Sequence, residues 1–468
     1  MPYAKALLLW IFSIGQMVMT LTAADQISMS ADVPGWAEVP HIVESIEEPV
    51  IPDRSYRIED FGAVADDGSD ALPGIRAAIK LANKQGGGRV VIGAGTWFCK
   101  GPIHLLSRID LHLEAGAVLV FSDDPEDYLP QVLTRWEGTE LFNYSPFIYA
   151  YQAVHVSITG EGLLDGNVAE TFGTWRAHQN KAKQRLRKMG ADQIPVYERV
   201  FGEGDYLRPS MIQFFSCTNV KVEGVSIKDS PFWVVHLVAC HNAVVRGIEV
   251  ESRILNNDGV DIESSSNVLV ENSRFITGDD SIVIKSGRDQ DGWRLGRPSE
   301  RIVIRNNTMA GHNALAIGSE MSGGVRHVFM ENNQLGAVRG ALYFKSNEDR
   351  GGVVENIHIR NITVEKSAKP LIQFRTNYPG FRQGGFPPRF QNISIENVTA
   401  EETGQLIYVR GVEDEPIRDV TIRNVHGLES TLSGAAYQQA LVIDTGTSFM
   451  ENLTLEEVSL GGSPVTQK

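Results

Sequence analysis

From about residue 218 onward the chain alternates apolar and polar positions in short runs, each closing on a small or amide residue. The runs include Val220-Lys221-Val222-Glu223-Gly224, Val268-Leu269-Val270-Glu271-Asn272, Ile302-Val303-Ile304-Arg305-Asn306 and Val328-Phe329-Met330-Glu331-Asn332. The closing positions are 224, 247, 272, 306, 332, 361, 397, 424 and 457, a base period of 23–29 residues with longer steps where segments are inserted. Alternation at period 2 with Val and Ile marks strands. A strand-bearing repeat of this length marks a solenoid of β-coils. Helical repeats would need longer runs at period 3.6, and a propeller blade needs about 40 residues. The pattern therefore predicts an all-β fold, a right-handed parallel β-helix, with equivalent positions of successive coils stacked about 4.8 Å apart. Asn and Gly at the recurrent corner suit left-handed backbone dihedrals.

Other elements frame the repeats. Ile75, Ala78, Ile79 and Ala82 recur at helical spacing behind Pro73, with Ser69 or Asp70 as N-cap, and Gly86-Gly87-Gly88 ends the helix. A helix there is placed to cap the exposed apolar end of the solenoid. Residues 1–24 read as a secretory signal: Lys5, an apolar run from Ala6 to Ile14, and small residues at Thr22-Ala23-Ala24. Residues 25–54 read as an irregular lead-in, and 55–468 as a single β-helix catalytic domain. Two excursions break the period. Residues 168–207 form a long basic insertion, partly helical, and residues 288–298 a shorter one. Asp289-Gln290-Asp291-Gly292 reads as a turn, since it lacks the remaining ligands of a calcium loop.

The formal charge is −15, from 58 acidic and 43 basic side chains. That balance excludes a general nucleic-acid binder, and any acidic substrate needs a local basic patch. The 45 glycines fit a fold with many corners. Three cysteines, Cys99, Cys217 and Cys240, build neither a disulfide framework nor a zinc site. Cys217 and Cys240 precede matching motifs and should stack as small core residues. No cofactor or metal is expected. The expected product is an exported monomer, periplasmic or extracellular, with no membrane span once the signal is removed.

Acids concentrate in one region. Asn256-Asn257-Asp258 and Gly278-Asp279-Asp280 lie 21 residues apart from Asp258 to Asp279, close to one coil. Asp258, Asp279 and Asp280 should share one patch. Like charges resist joint ionisation, so at least one pKa should rise. A protonated acid beside ionised ones is what glycoside hydrolysis uses. His312 follows Asp279 by 33 residues and Lys345 follows His312 by 33, so both fall roughly in register with the acids. Trp233 and His236 lie one coil before Asp258 and should line a neighbouring subsite.

At these residues the chain resembles the polygalacturonase family of pectin-degrading glycoside hydrolases, glycoside hydrolase family 28. The resemblance runs from about Arg57 through the repeats. It rests on Asp60-Phe61-Gly62-Ala63, on Asp229-Ser230-Pro231-Phe232-Trp233, and on four ordered motifs: Asn256-Asn257-Asp258, Gly278-Asp279-Asp280, Gly311-His312-Asn313 and Tyr343-Phe344-Lys345. It implies hydrolysis of galacturonosyl bonds in pectic poly- or oligosaccharides with inversion of configuration. Carried over, Asp279 would protonate the leaving oxygen, Asp258 and Asp280 would hold and deprotonate the water, and His312 would tune the acid. Lys345 would bind a substrate carboxylate, with Tyr343 and Asn256 beside it.

Two positions depart from the family pattern. Tyr343 stands where the family has arginine, and a phenol does not replace a bidentate clamp on carboxylate. Asn313 brings a side chain where the family has glycine. Arg326, Arg339, Arg350 and Arg375 are candidates for the missing charge, although each also reads as an ordinary surface residue. The excursions at 168–207 and 288–298 are expected to wall off the cleft and give chain-end attack. Two alternatives use the same fold: a polysaccharide lyase, which needs calcium and a basic catalytic residue, and a non-catalytic glycan-binding solenoid.

Overall fold

The computed structural model describes residues 35–468 except 381. The signal assigned to residues 1–24 and the first part of the lead-in lie outside the described residues. The chain winds into a right-handed parallel β-helix whose strands join one continuous sheet system. A typical coil has three strands, as in Thr218–Glu223, Ser226–Lys228 and Val235–Val238. The next coil (His241–Arg246, Glu249–Ser252, Val260–Glu263) pairs with it strand for strand in parallel.

The period-2 pattern sends alternate residues inward. One inward column reads Val222, Val245, Val270, Ile304, Met330, Ile359, Ile395 and Ile422, each at most 2% exposed and each opposite the next in register. Burial of such a side chain contributes about 1.5–3 kcal/mol, and the column repeats that gain coil by coil.

The predicted corner positions do take left-handed dihedrals. Asn272, Asn306, Asn332, Asn361, Asn397 and Asn424 have φ between 51° and 57°, and Gly224 and Gly247 are also positive. Five residues earlier on each coil a second left-handed position recurs, among them Asn219, Asn242, Asn267, Asn356 and Asn392. The amides of both rows form ladders. Asn242 Nδ2 donates to Asn219 Oδ1 at 2.9 Å, Asn267 to Asn242 at 3.0 Å, Asn397 to Asn361 at 3.1 Å and Asn424 to Asn397 at 2.8 Å.

Helix α1 (Glu38–Glu44) corrects the lead-in, which is not irregular throughout. Val39 and Ile42 pack, with Trp36, on an outward apolar stripe of Val244, Leu269, Val303 and Phe329. Strict alternation would put polar residues at those outward positions, and their apolar character records the helix that covers them. Helix α2 (Leu72–Lys84) is the predicted cap: Ile75, Ala78, Ile79 and Ala82 are buried, and Asp70 Oδ1 accepts the Leu72 N–H at 2.9 Å. Cys217 and Cys240 are buried, free and adjacent, with the His241 N–H on the Cys217 carbonyl at 3.0 Å.

Three insertions rise on one side. The hairpin Val132–Trp136/Thr139–Asn143 turns at Glu137 and Gly138, both with positive φ. Helix α3 (Asn180–Ala191) lies in the basic excursion, and helix α4 (Asp289–Leu295) occupies the stretch expected to be a turn. Asp289 and Asp291 are buried there as ion-pair partners, which a loop reading could not anticipate. We expect Ile42→Ala to lower stability by about 2 kcal/mol. The check is urea unfolding followed by tryptophan fluorescence, and an unshifted midpoint would show that α1 is not docked as described.

Candidate active site

The turns between the second and third strands of successive coils bring the acids together. Val260 pairs with Ile282, so Asp258 lies opposite Asp280, and Asn257 lies opposite Asp279. The spacing of 21 had paired Asp258 with Asp279; the register moves that partnership by one residue. On the next coil Asp279 meets His312, whose Nδ1 is 3.3 Å from Asp279 Oδ1, and Asp280 meets Asn313. One coil further, Asn313 pairs with Gly340, which puts Arg339 in file with His312. Lys345 ends the same strand, Gln334–Lys345, and reaches the acids through the length of its side chain.

Both oxygens of Asp280 are engaged. Asn313 Nδ2 donates to Oδ1 at 2.8 Å and Lys345 Nζ to Oδ2 at 2.6 Å. The unusual asparagine thus holds an acid in place. Lys345 is already paired to that acid, rather than free for a substrate carboxylate. Asp258 Oδ1 is buried with no hydrogen-bond partner, while Oδ2 lies 3.7 Å from Lys285 Nζ. Lys285 also lies 3.7 Å from Asp261 and 3.5 Å from Glu320. It is the cation on which these buried carboxylates converge.

The electrostatics separate Asp258 from Asp279. Burial, then Asp261 and Asp279, push the Asp258 carboxyl well above the usual range despite Lys285. Burial also pushes Asp279 upward, but His312, Lys345 and Lys285 outweigh it and hold that carboxyl below the usual range. These two carboxyls are thus shifted in opposite directions, Asp258 upward and Asp279 downward. Exposure runs the other way: the Asp279 side chain is 18% exposed, against 5% for Asp258 and 1% for Asp280. Asp279 alone of the three reaches well into the cavity.

That cavity measures about 500 Å³. Asp258, Asp279, Asp280, His312, Lys345, Tyr343, Asn256 and Trp233 all line it. Asn256 is oriented by Arg208 Nη2 at 2.8 Å and lies 3.4 Å from Asp279 Oδ2. Tyr343 packs on Val283, Ala316 and Tyr378. His236 does not reach the cavity. It is fully buried beneath Trp233, with Nε2 2.8 Å from Glu263 and Nδ1 2.9 Å from Gln213. Its strand position points outward, but the hairpin covers that face.

Of the four arginines considered for the missing charge, Arg326 lies on the surface with Glu300. Arg350, buried and paired with Asp289, lines the cavity together with Arg339 and Arg375. Nine lysines and arginines line it against five carboxylates, so the acidic chain carries a basic cleft.

Sequence reasoning expected the two excursions as a wall but missed the hairpin that locks them together. Glu137 at the hairpin tip, held near a pKa of about 2 although buried, accepts Lys183 and Arg187 from α3 and pairs with Arg288. Arg199 grips Asp291 with two bonds of 2.6 and 2.9 Å. Arg382 pairs with Asp289 at 2.9 Å. The signal available for the hairpin was alternation from Val132 to Asn143 around Glu137-Gly138, obscured because glutamate seldom takes the first place of such a turn.

The comparisons agree with this geometry. A "Probable polygalacturonase" of Vitis vinifera is 28% identical, over 82% of this chain and 77% of that protein. An "Exo-poly-alpha-D-galacturonosidase" of Dickeya chrysanthemi is 25% identical, over 88% of this chain and 72% of that protein. The crystal structure of a hyperthermoactive exopolygalacturonase from Thermotoga maritima superposes with a TM-score of 0.83 at 39% identity, covering 91% of this chain and 95% of that one. The sequence profile of glycosyl hydrolases family 28 matches residues 137–439, and the chain belongs to that family of glycoside hydrolases.

Proposed function

We propose that this protein hydrolyses galacturonosyl linkages of pectic chains from a chain end, with inversion. The observation that carries the reading is a carboxylate trio in a basic cleft, with only Asp279 well exposed to the cavity. Asp279 donates a proton to the leaving oxygen. His312, Lys345 and Lys285 hold its carboxyl low; a sugar that excludes water from the site disfavours the charged form, so that the carboxyl takes up the proton that it delivers. Asp258, through its unpartnered Oδ1, takes a proton from the attacking water, while Asp280 is fixed by Asn313 and Lys345 to hold that water. The interlocked hairpin, α3 and α4, with Arg382, stop the chain beyond its terminal sugar. Named relatives include exo-acting enzymes, which supports the same mode. We read residues 55–468 as one catalytic unit, acting as a monomer outside the cytoplasm after export. Among the described residues no helix is long and apolar enough to cross a membrane.

Asp279→Asn should lower reducing-end release from oligogalacturonates at least about a thousandfold, and His312→Ala about a hundredfold. Unchanged turnover in Asp279→Asn would overturn the assignment. An ultraviolet-absorbing unsaturated product would instead indicate β-elimination.

The base must be ionised to accept a proton, and the Asp258 pKa is raised. Activity should therefore fall with decreasing pH through that raised value, above the usual carboxylate range near about 4. A kcat/KM profile whose acid limb sits at the ordinary carboxylate value would count against Asp258 as base. Time-resolved product analysis on a long chain should show one short product growing from the outset. A ladder of intermediate lengths would show internal cleavage.

A further inference from the structure

One ammonium serves two buried acids behind the acid-bearing turn. Lys285 ends the strand Ile282–Lys285, opposite Glu263. Its side chain is 4% exposed, and its Nζ lies 3.7 Å from Asp258 Oδ2, 3.7 Å from Asp261 Oδ1 and 3.5 Å from Glu320 Oε2. The Trp233 ring covers it at 4.8 Å, and it donates a hydrogen bond to the Gly318 carbonyl at 3.3 Å. Asp261 lies on the strand Val260–Glu263, between His236 and Val283 in register. It is fully buried, with no hydrogen-bond partner on either carboxylate oxygen.

The other charges around this ammonium have partners of their own. Glu320 meets Arg288 and Arg350, and Glu263 meets His236 and Arg135. Asp280 is held by Lys345, and Asp279 by His312. Arg208 turns its guanidinium to Asn256 and to backbone carbonyls. Among the described residues, Lys285 is thus the one cation paired with Asp258 and also the one cation paired with Asp261. A buried carboxylate is costly to ionise without a partner, and two that share a partner resist ionising together. Burial and this crowding push both carboxyls well above the usual range, while Lys285 pulls each of them back.

On the hydrolytic reading Asp258 accepts the proton of the attacking water, and it can do so only when ionised. We propose, resting on that reading, that Lys285 and Asp261 are positioning residues for this base: the ammonium holds Asp258 in its accepting form, and Asp261 competes for the same ammonium. With one cation between them the two acids titrate as a pair and share a proton, so Asp258 is ready in only part of the molecules while that proton is held. Loss of Lys285 leaves the mutual repulsion unopposed. Loss of the Asp261 charge gives the ammonium to Asp258 alone.

The test has two readouts. One is the acid limb of kcat/KM on oligogalacturonates. The other is the titration of the Asp258 carboxyl itself, by carbon-13 NMR on aspartate-labelled protein, with the resonance identified by its loss in Asp258→Asn. Lys285 also lowers Asp279, but that residue as the acid governs the alkaline limb, so the acid limb reports the base. Lys285→Met should move both readouts upward by at least about one pH unit, a loss of about tenfold in kcat/KM at a pH on the limb. Asp261→Asn keeps the side-chain shape and carries the test should Lys285→Met fail to fold; it should move both readouts downward. The double variant should return toward the parent. Readouts that stay in place in either single variant overturn the proposal. So does a KM raised at every pH in Lys285→Met with the limb unmoved, the mark of a lysine that grips substrate. A parent protein that never cleaves oligogalacturonates overturns the hydrolytic reading instead, and the NMR titrations then still decide whether Lys285 and Asp261 govern the charge of Asp258.

Discussion

In-register parallel stacking is the constraint on which the rest of this molecule depends. Each side chain lies about one strand spacing from its counterparts on the coils before and after it, whatever their charge. In the interior this gives unbroken aliphatic columns, and at the corners rows of amides. At the turn between the second and third strands it forces Asp258 against Asp280 and Asp279 against His312. Repulsion among these acids is offset by Lys285 and Lys345, both buried, and by the Asn313 amide. The same geometry that makes the fold regular thus raises the Asp258 carboxyl and lowers its neighbour on the adjacent file.

The wall obeys a different rule. Its parts come from the hairpin, two excursions and a late loop, and buried ion pairs hold them together. Such pairs add little net stability compared with apolar packing, yet the loss of one partner leaves an uncompensated buried charge. Arg199 with Asp291, and Glu137 with its three cations, therefore fix where the insertions sit more than they stabilise the solenoid. Part of the cleft's basic lining comes from this arrangement, since helix α3 turns Lys183 and Arg187 toward the cavity.

Much of this was legible in the sequence because the repeat is local. Valine and isoleucine at alternate positions, with asparagine at the corner, expose the coil without reference to distant residues. The acids, His312 and Lys345 were legible for the same reason. Counting along the chain does not yield the register through a turn of variable length, so it paired Asp258 with the wrong acid and placed Lys345 in the His312 file, where Arg339 stands. Outward residues were the other failure. His236 on its strand looks like a groove residue until the hairpin is in place, and Val303 and Phe329 look misplaced until α1 covers them. Cover supplied by a remote segment leaves no mark on the local pattern beyond an apolar residue at a polar position.

The amide ladders carry a consequence for chemical ageing. Each rung accepts through its Oδ1 and donates through its Nδ2, so a row has a direction and its bonds reinforce one another. Asparagine is also among the heat-labile residues. Hydrolysis of one side-chain amide would put a carboxylate where a donor is required and leave the rung below unpaired. Asn452 on Asp419 ends one row with a carboxylate in the acceptor place, at 3.0 Å, the single position of a rung that tolerates one. Slow amide loss would therefore be felt first along an edge of the solenoid remote from the chemistry, as a gradual loosening of corners while the interior columns remain closed.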